Sequence, residues 1–426
     1  MKRKSFKPPC AYRTRHQTPA KERLMNKVLC VCLLLLFTAV PCRSTVLVSS
    51  VSALISAVNA ANGGGDKTIL IADGYYPLHG SYLRITADGI SVASASGKRE
   101  LVILDGNYQT TEIFQIVASN VTLSDLTLQE ASYHPIHVMA ADDHDVINTV
   151  IRNVHIINPG QQAIKINQDG AKNYSANNGL IAGCLIELTE TGRQQVWEIN
   201  GSCYTGGIDA HHAANWTIRD NEIRGFWCAD GLSEHGIHLW SFSSDTLVER
   251  NRIIDCDRGI GFGLGDSGHT GGIIRNNMLY HGPDHGQSDV GIGLESASGA
   301  QVYNNTLYHE HSYANAIEYR LAATTDVTIS NNLSNRAISS RDEGSATLAA
   351  NITTALPTWF KNPAGGDLHL SAPIIEIIDK GIFINGLTDD LDKERRPQGA
   401  RIDIGADEYL IPSKTITLLS WIGLLL

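Results

Sequence analysis

One short pattern recurs seven times in this chain and restricts its fold more than any other feature. The copies read PIHVM (135–139), AIKIN (163–167), GIDAH (207–211), GIHLW (236–240), GIGFG (259–263), GIGLE (291–295) and AIEYR (316–320). Their isoleucines, Ile136, Ile164, Ile208, Ile237, Ile260, Ile292 and Ile317, stand 23 to 44 residues apart. A period of roughly 20–50 residues marks a repeat architecture. In each copy the isoleucine and the residue two places on are apolar, the alternation of a strand with one buried face.

A second series keeps step with the first, from VTLSDLTL (121–128) to TLAANIT (347–353). In its later copies one inward position is always asparagine: Asn221, Asn251, Asn277, Asn305, Asn332 and Asn351. Earlier copies carry Leu126, Val154 and Cys184 there. Stacked asparagines can hydrogen-bond from coil to coil along a turn. Short strands, Asn/Gly turns and this period predict an all-β chain, a right-handed parallel β-helix. A solenoid needs its open end covered. SVSALISAVNAAN (50–62), with helical apolar spacing before Gly63, Gly64 and Gly65, is the expected N-terminal capping helix. TILIADGYY (68–76) reads as the first strand, and LHLSAPIIEIIDKG and RIDIGADEYL as non-repeating cover near the far end.

Three segments follow. Residues 1–44 are an N-terminal extension and signal peptide, with VLCVCLLLLFTAVPC (28–42) as its apolar core and Met25 as an alternative start. Cys42 offers a lipoprotein alternative, although the proline before it fits that motif poorly. Residues 45–410 are one β-helix domain, expected as a monomer. Residues 411–426 are an apolar tail too short to be read as a membrane span. The chain is therefore expected to be secreted or held in the cell envelope.

The chain has 34 basic and 44 acidic residues, and ten of the former and one of the latter lie before residue 45. The remainder, at 24 against 43, is strongly acidic. That argues against nucleic acid or an anionic membrane as partner. Four cysteines remain after the extension; Cys203 and Cys228 lie about one coil apart and can pair, or all four are free thiols.

The opening ALISAVNAANGGGDKTILIADGYY, followed by these coils, resembles the pectate-lyase-like superfamily of secreted right-handed β-helices, and within it the chondroitinase B and alginate lyase branch. RPQGARIDIGADEY is similar to a closing motif of bacterial secreted β-helix proteins. The resemblance spans most of residues 46–410 and implies the fold. It carries over no catalytic residue, because the alginate-lyase motifs do not align residue by residue and the polygalacturonase aspartate pair and RIK are missing.

The residue before each isoleucine, the one after it and the one three after it are expected to face outward. The first is always Pro, Ala or Gly. The second runs His137, Lys165, Asp209, His238, Gly261, Gly293, Glu318, and the third Met139, Asn167, His211, Trp240, Gly263, Glu295, Arg320. This predicts a polar cluster, an open glycine floor and an acid and arginine cluster on one face. Long loops are expected beside it: an insertion at 168–206, and FWCADGLSEH (226–235) with Glu234 and His235.

An aromatic and imidazole groove of this kind suits an acidic, uronate-containing polysaccharide. His137, Asn167, Trp240, Gly261, Gly293, Glu234 and His235 are candidate substrate-binding residues. β-Elimination needs a base for the C5 proton, an acid for the leaving oxygen and a neutralised carboxylate. Lys165, His211 and His238 are candidate acid–base groups, Asp209 their brace, and Arg320 the neutralising cation. A calcium ion held by Glu295, Glu318 and Asp289 is the alternative neutraliser. Three further readings share the fold. One is an inverting hydrolase using Glu295 and Glu318, with roughly 8 Å between their backbone origins. The others are a C5 epimerase and a non-catalytic polysaccharide-binding surface protein.

Overall fold

A computed structural model describes residues 44–410 of the chain. The N-terminal extension with Met25 and Cys42, and the tail 411–426, lie outside the described residues.

Three long sheets, all parallel, wind around one apolar core as a right-handed parallel β-helix. The first sheet has twelve strands, from Thr45–Val48 to Ala346–Ala349. The second has ten, from Gly74–Pro77 to Leu333–Ser334, and the third has ten, from Leu83–Ile85 to Ala337–Arg341. The third carries the repeated pentapeptide. Its isoleucines pair in unbroken register, Ile136 with Ile164, then Ile208, Ile237, Ile260, Ile292 and Ile317, and all are buried. β-Branched side chains stacked on a pleated inner face pack well.

The asparagines form a ladder at the turn between the first and second sheets. Each Nδ2 donates to Oδ1 of the next, from Asn221 through Asn251, Asn277, Asn305 and Asn332 to Asn351, at 2.9–3.0 Å. Each Nδ2 also reaches a main-chain carbonyl, as Asn277 does to Val248 at 3.0 Å. The ladder satisfies polar groups that the turn would otherwise bury without partners.

Helix α1 (Val51–Asn62) begins at Ser50, whose Oγ accepts from Ala53 N at 3.2 Å, and ends where Gly63 N donates to Asn59 O and Gly64 N to Ala61 O, each at 3.1 Å. It buries Leu54, Ala57, Val58 and Ala61 over the first coil. The solenoid starts before it, however. Thr45–Val48 pairs parallel with Thr68–Ile71, so TILIADGYY is not the first strand.

Two other expectations need correction. Residues 168–206 are not one insertion: Leu180–Ala182 and Leu185–Glu187 are strands of the first and second sheets, where the series carrying Cys184 placed a copy. Helix α2 (Glu190–Asn200) stands out from the coil, closed by Gly201 at φ 64°. The residue before each isoleucine does not face outward either. A Cβ at Gly259 would lie 2.2 Å from the Gly291 carbonyl and 2.5 Å from Leu279 Cδ2, so no side chain fits where the strand bends there. Its small-residue column is steric, and the outward position is one residue earlier.

Cys203 and Cys228 are disulfide-bonded, tying the end of the α2 excursion to the 226–234 loop; Cys184 and Cys256 are buried free thiols. Residues 353–410 run along the outside of the solenoid. Asn276 donates to Asp389 O, Asn304 to Asp403 O and Asn331 to Ile382 O, each at 2.9 Å.

Candidate functional site

The outward row of the third sheet is a true column: His137, Lys165, Asp209, His238, Gly261, Gly293 and Glu318 face one another in successive coils. Neighbouring strands lie about 4.8 Å apart, so these groups are forced together by register alone.

Asp209 is the hub. Lys165 Nζ donates to its Oδ2, and His211 Nε2 stands 3.0 Å from the same oxygen. Trp240 Nε1 donates to Oδ1 at 2.9 Å, and His238 Nδ1 lies 3.4 Å from it. Burial pushes the Asp209 carboxyl up, but the His211 hydrogen bond, the adjoining His238 imidazole and the Lys165 charge hold it well below the usual carboxylate range. The predicted cluster is therefore assembled, but not as a solvent-facing patch. The side chains of Lys165 and Asp209 are 8% and 6% exposed and that of His238 is 1%, whereas His211 is 25% exposed. His211 is the ionisable group of the cluster that solvent reaches best.

The rings pack in series. His211 meets Trp240 edge-on at 4.4 Å, Trp240 stacks with His238 at 5.5 Å, and His238 lies 4.1 Å from His235. Gly261 is consequently not an open floor: a Cβ there would lie 2.6 Å from His235 Nε2 and 2.8 Å from His238 Cδ2. Its lack of a side chain makes room for two imidazoles. His137 and Asn167 are also turned to each other. His137 Nδ1 bonds Glu112 at 2.7 Å and its Nε2 lies 3.2 Å from Asn167 Nδ2.

Next to this cluster, one to three coils on, lies a cavity of about 170 Å³ lined by His235, Arg258, Asp289, Gly293, Glu295, Glu318 and Arg320. Gly293 lines this cavity, although a Cβ there would lie 3.1 Å from Val290 Cγ1. The acids are already engaged. Glu318 accepts from Tyr313 and Asn315 at 2.6 Å and from Arg341 at 2.8 Å, and it is 2% exposed. Glu295 caps Gly265 N at 2.7 Å and pairs with Arg320 at 3.3 Å; Asp289 pairs with Arg258 at 3.2 Å. Glu295, Glu318 and Asp289 do not bring ligand atoms together, so the expected calcium set does not form. A buried, triply bonded Glu318 is equally unsuited to the acid–base role of a hydrolase. Among the described residues, two other groupings place three ligand atoms within 4.8 Å: Glu234 with His235 and His238, and His369 with Asp392 and Asp407.

Arg258 is a site residue that the sequence pattern hid. It pairs with His235 across adjacent strands, two positions before the isoleucines. The displaced outward column, Gln162, Gly206, His235, Arg258, was its signal. The wall above is set by the 226–234 loop. Ser233 N donates to the buried Asp257 at 2.9 Å, and Trp227 lies between Arg193, 4.0 Å over its ring, and His285, stacked at 5.0 Å. Among the described residues, no helix is long and apolar enough to cross a membrane.

No family model and no curated protein matches the chain. Among solved structures it is similar to the pectate lyase Pel9A, at 16% identity and a TM-score of 0.51, over 83% of this chain and 90% of that one. It is also similar to the polygalacturonase from Erwinia carotovora ssp. carotovora (11%, TM-score 0.40, 72% and 94%). A third is PfbA, a surface adhesin of Streptococcus pneumoniae (10%, TM-score 0.42, 73% and 92%). At these identities the likeness to Pel9A shows a shared parallel β-helix fold, and the two lower scores add no weight.

Proposed function

We propose that this is an exported, carbohydrate-active β-helix protein that binds an acidic polysaccharide along its third sheet and cleaves it by β-elimination. The observation that carries the reading is the Asp209 hub, which holds Lys165, His211, His238 and Trp240 in one column beside a cleft with two arginines. His211 and Arg320 lie on strands four coils apart, about 19 Å at the usual strand spacing. That length suits a polymer better than a single sugar.

The roles follow from exposure. In the tautomer that donates Nε2–H to Asp209, His211 keeps a lone pair on Nδ1 for the substrate's C5 proton. The electron pair of that C–H bond becomes the C4–C5 double bond, the C4–O bond breaks, and the leaving oxygen takes a proton from water in the cleft, while the proton held by His211 returns to solvent. Asp209 and Lys165 are positioning residues, since neither is reached by solvent as His211 is. Arg258 and Arg320, paired in this structure with Asp289 and with Glu295 and Asp342, would exchange those partners for uronate carboxylates.

The test is incubation with alginate, pectate, glucuronan and chondroitin sulfate, following the ultraviolet absorbance of unsaturated uronate and, in the same tubes, new reducing ends. Unsaturated product from one polymer is expected, with loss of about 10²- to 10⁴-fold in His211→Ala. Shortened chains without unsaturation identify a hydrolase. Binding without cleavage identifies a surface-binding protein, and full activity in His211→Ala removes the assigned base.

A further inference from the structure

Beside the Asp209 hub sits a second arrangement that β-elimination does not use. The 226–234 loop delivers Glu234 to the third sheet just before the strand His235–Trp240. The strand then bends at Gly236, where a Cβ would meet the Gly259 carbonyl at 3.2 Å and Ile253 Cγ2 at the same distance. In a regular strand, residues three apart face opposite ways. Here the bend puts the imidazoles of His235 and His238 on the same outer face, 4.1 Å apart.

Both imidazoles are at least nine-tenths buried, and the Nδ1 of each is without a hydrogen-bond partner. Buried polar atoms are nearly always satisfied, so two orphans side by side call for an explanation. His238 Nε2 lies 3.2 Å from the Gly263 carbonyl. That bond makes Nε2 the protonated nitrogen and leaves the Nδ1 lone pair facing two carboxylates, Asp209 Oδ1 at 3.4 Å and Glu234 Oε2 at 4.0 Å. Metal-bound histidines usually donate their other ring N–H in this way, to a carbonyl or carboxylate that fixes the ring.

We propose that Glu234, His235 and His238 form a site for a divalent first-row transition metal ion of the zinc type, open toward the cleft. One ligand atom from each lies within 4.8 Å of the other two. Zinc holds nitrogen and carboxylate oxygen at about 2.0–2.2 Å, which sets tetrahedral ligand atoms about 3.3 Å apart. The Glu234 side chain, 30% exposed, supplies the inward movement of about 1 Å that closes the set. Two imidazoles and one carboxylate favour zinc, nickel or ferrous ion over calcium, which takes oxygen ligands. Three protein ligands leave a fourth position, and His235 borders the cavity that also holds Arg258 and Arg320. The site thus adds a cation beside a cleft whose two arginines are already balanced by Asp289 and Glu295, whatever chain it accepts or cuts.

The site is tested without any glycan. The dialysed full chain is titrated calorimetrically with zinc, and separately with cobalt(II) while visible d–d bands are recorded. One ion per chain is expected, together with a melting temperature that rises with zinc concentration. Glu234→Gln, a change at a half-exposed position, and His235→Ala should each weaken zinc by about 100-fold or more, beyond what outer-shell substitutions cost. His369→Ala, in the other three-ligand grouping, should leave that affinity unchanged. Absence of zinc binding by the native chain, unchanged affinity in Glu234→Gln, or loss in His369→Ala alone overturns the proposal. If His235→Ala fails to fold, the Glu234→Gln titration and its cobalt spectrum decide. An inactive protein that binds zinc at this site would sink the lyase reading and leave the metal site standing.

Discussion

Asp209 carries one negative charge against Lys165 and two imidazoles in a nearly dry column. Removing one member of a buried pair leaves the other uncompensated, at about 3–5 kcal/mol. Asp209→Asn should therefore lower the unfolding free energy measured in urea by an amount in that range, well before activity is considered. The sign with pH is fixed. A carboxylate held below its unfolded value contributes stability above that value and loses it as pH falls through the folded one. Part of the native chain's acid sensitivity should thus be missing from Asp209→Asn. His369 runs the other way: Asp392 and Asp367 raise it to about 9 from 6.5. Its contribution is complete below pH 6.5 and fades as pH rises through about 9. His369→Gln should flatten the alkaline side of a melting-temperature profile, and an unchanged profile would refute the pairing. The identities in the Asp209 column could be read from the sequence because register preserves spacing. Their burial could not: the covering imidazole of His235 comes from a column displaced by the bend at Gly236, which no alternation pattern reports.

The Asn ladder was legible as an element because one side chain repeats where a turn must satisfy its own polar groups. Its energetics depend on position. Asn277 donates to Val248 O and Asn305 Oδ1 and accepts from the main-chain and side-chain N–H groups of Asn251. Asn277→Ala strands several of these in the core, at about 1–3 kcal/mol for each buried group left unmade. Asn351, at the end of the row and half-buried, has no further rung to serve. We expect Asn277→Ala to cost about 3 kcal/mol or more in urea unfolding and Asn351→Ala clearly less. Equal losses would show that the rungs act independently of depth. Helix α2 escaped the sequence reading for a related reason. Only Gly192 and Val196 on it are buried, so it leaves almost no apolar period to detect. Thr45–Val48 was missed because a four-residue strand before a helix offers little alternation.

A parallel β-helix is a stack whose coils each depend on their neighbours, and this one is also bound lengthwise. The segment 353–410 crosses several coils, held by the row Asn276, Asn304 and Asn331 that stands just outside the ladder. Arg250 reaches Asp389 at 2.9 Å, and Ala406 N donates to Thr306 at 2.8 Å. Within the segment, Arg396 is fully buried against Glu408 and the carbonyls of Asp403 and Gly405. Beneath it the second sheet turns Met278, Tyr280, Tyr308 and Leu333 outward into a second apolar cluster with Phe360, Leu368, Leu370 and Ile377. A sequence reading saw non-repeating cover here, but not that it lies along the side of the solenoid, because its partners are asparagine side chains that look like ordinary turn residues. The cover should therefore be integral to stability. A chain ending at residue 352 exposes that apolar strip on a sheet, the surface most prone to self-association. It should elute as aggregate or bind a hydrophobic dye strongly, where the full chain does neither. Arg396→Ala is the milder form. Glu408, left charged in a buried site, should bring the loss of about 3–5 kcal/mol expected for a broken buried pair, and faster proteolysis confined to 353–410. A truncated chain that stays soluble and melts with the full one would mean that the coils alone close the core and the cover is ornamental.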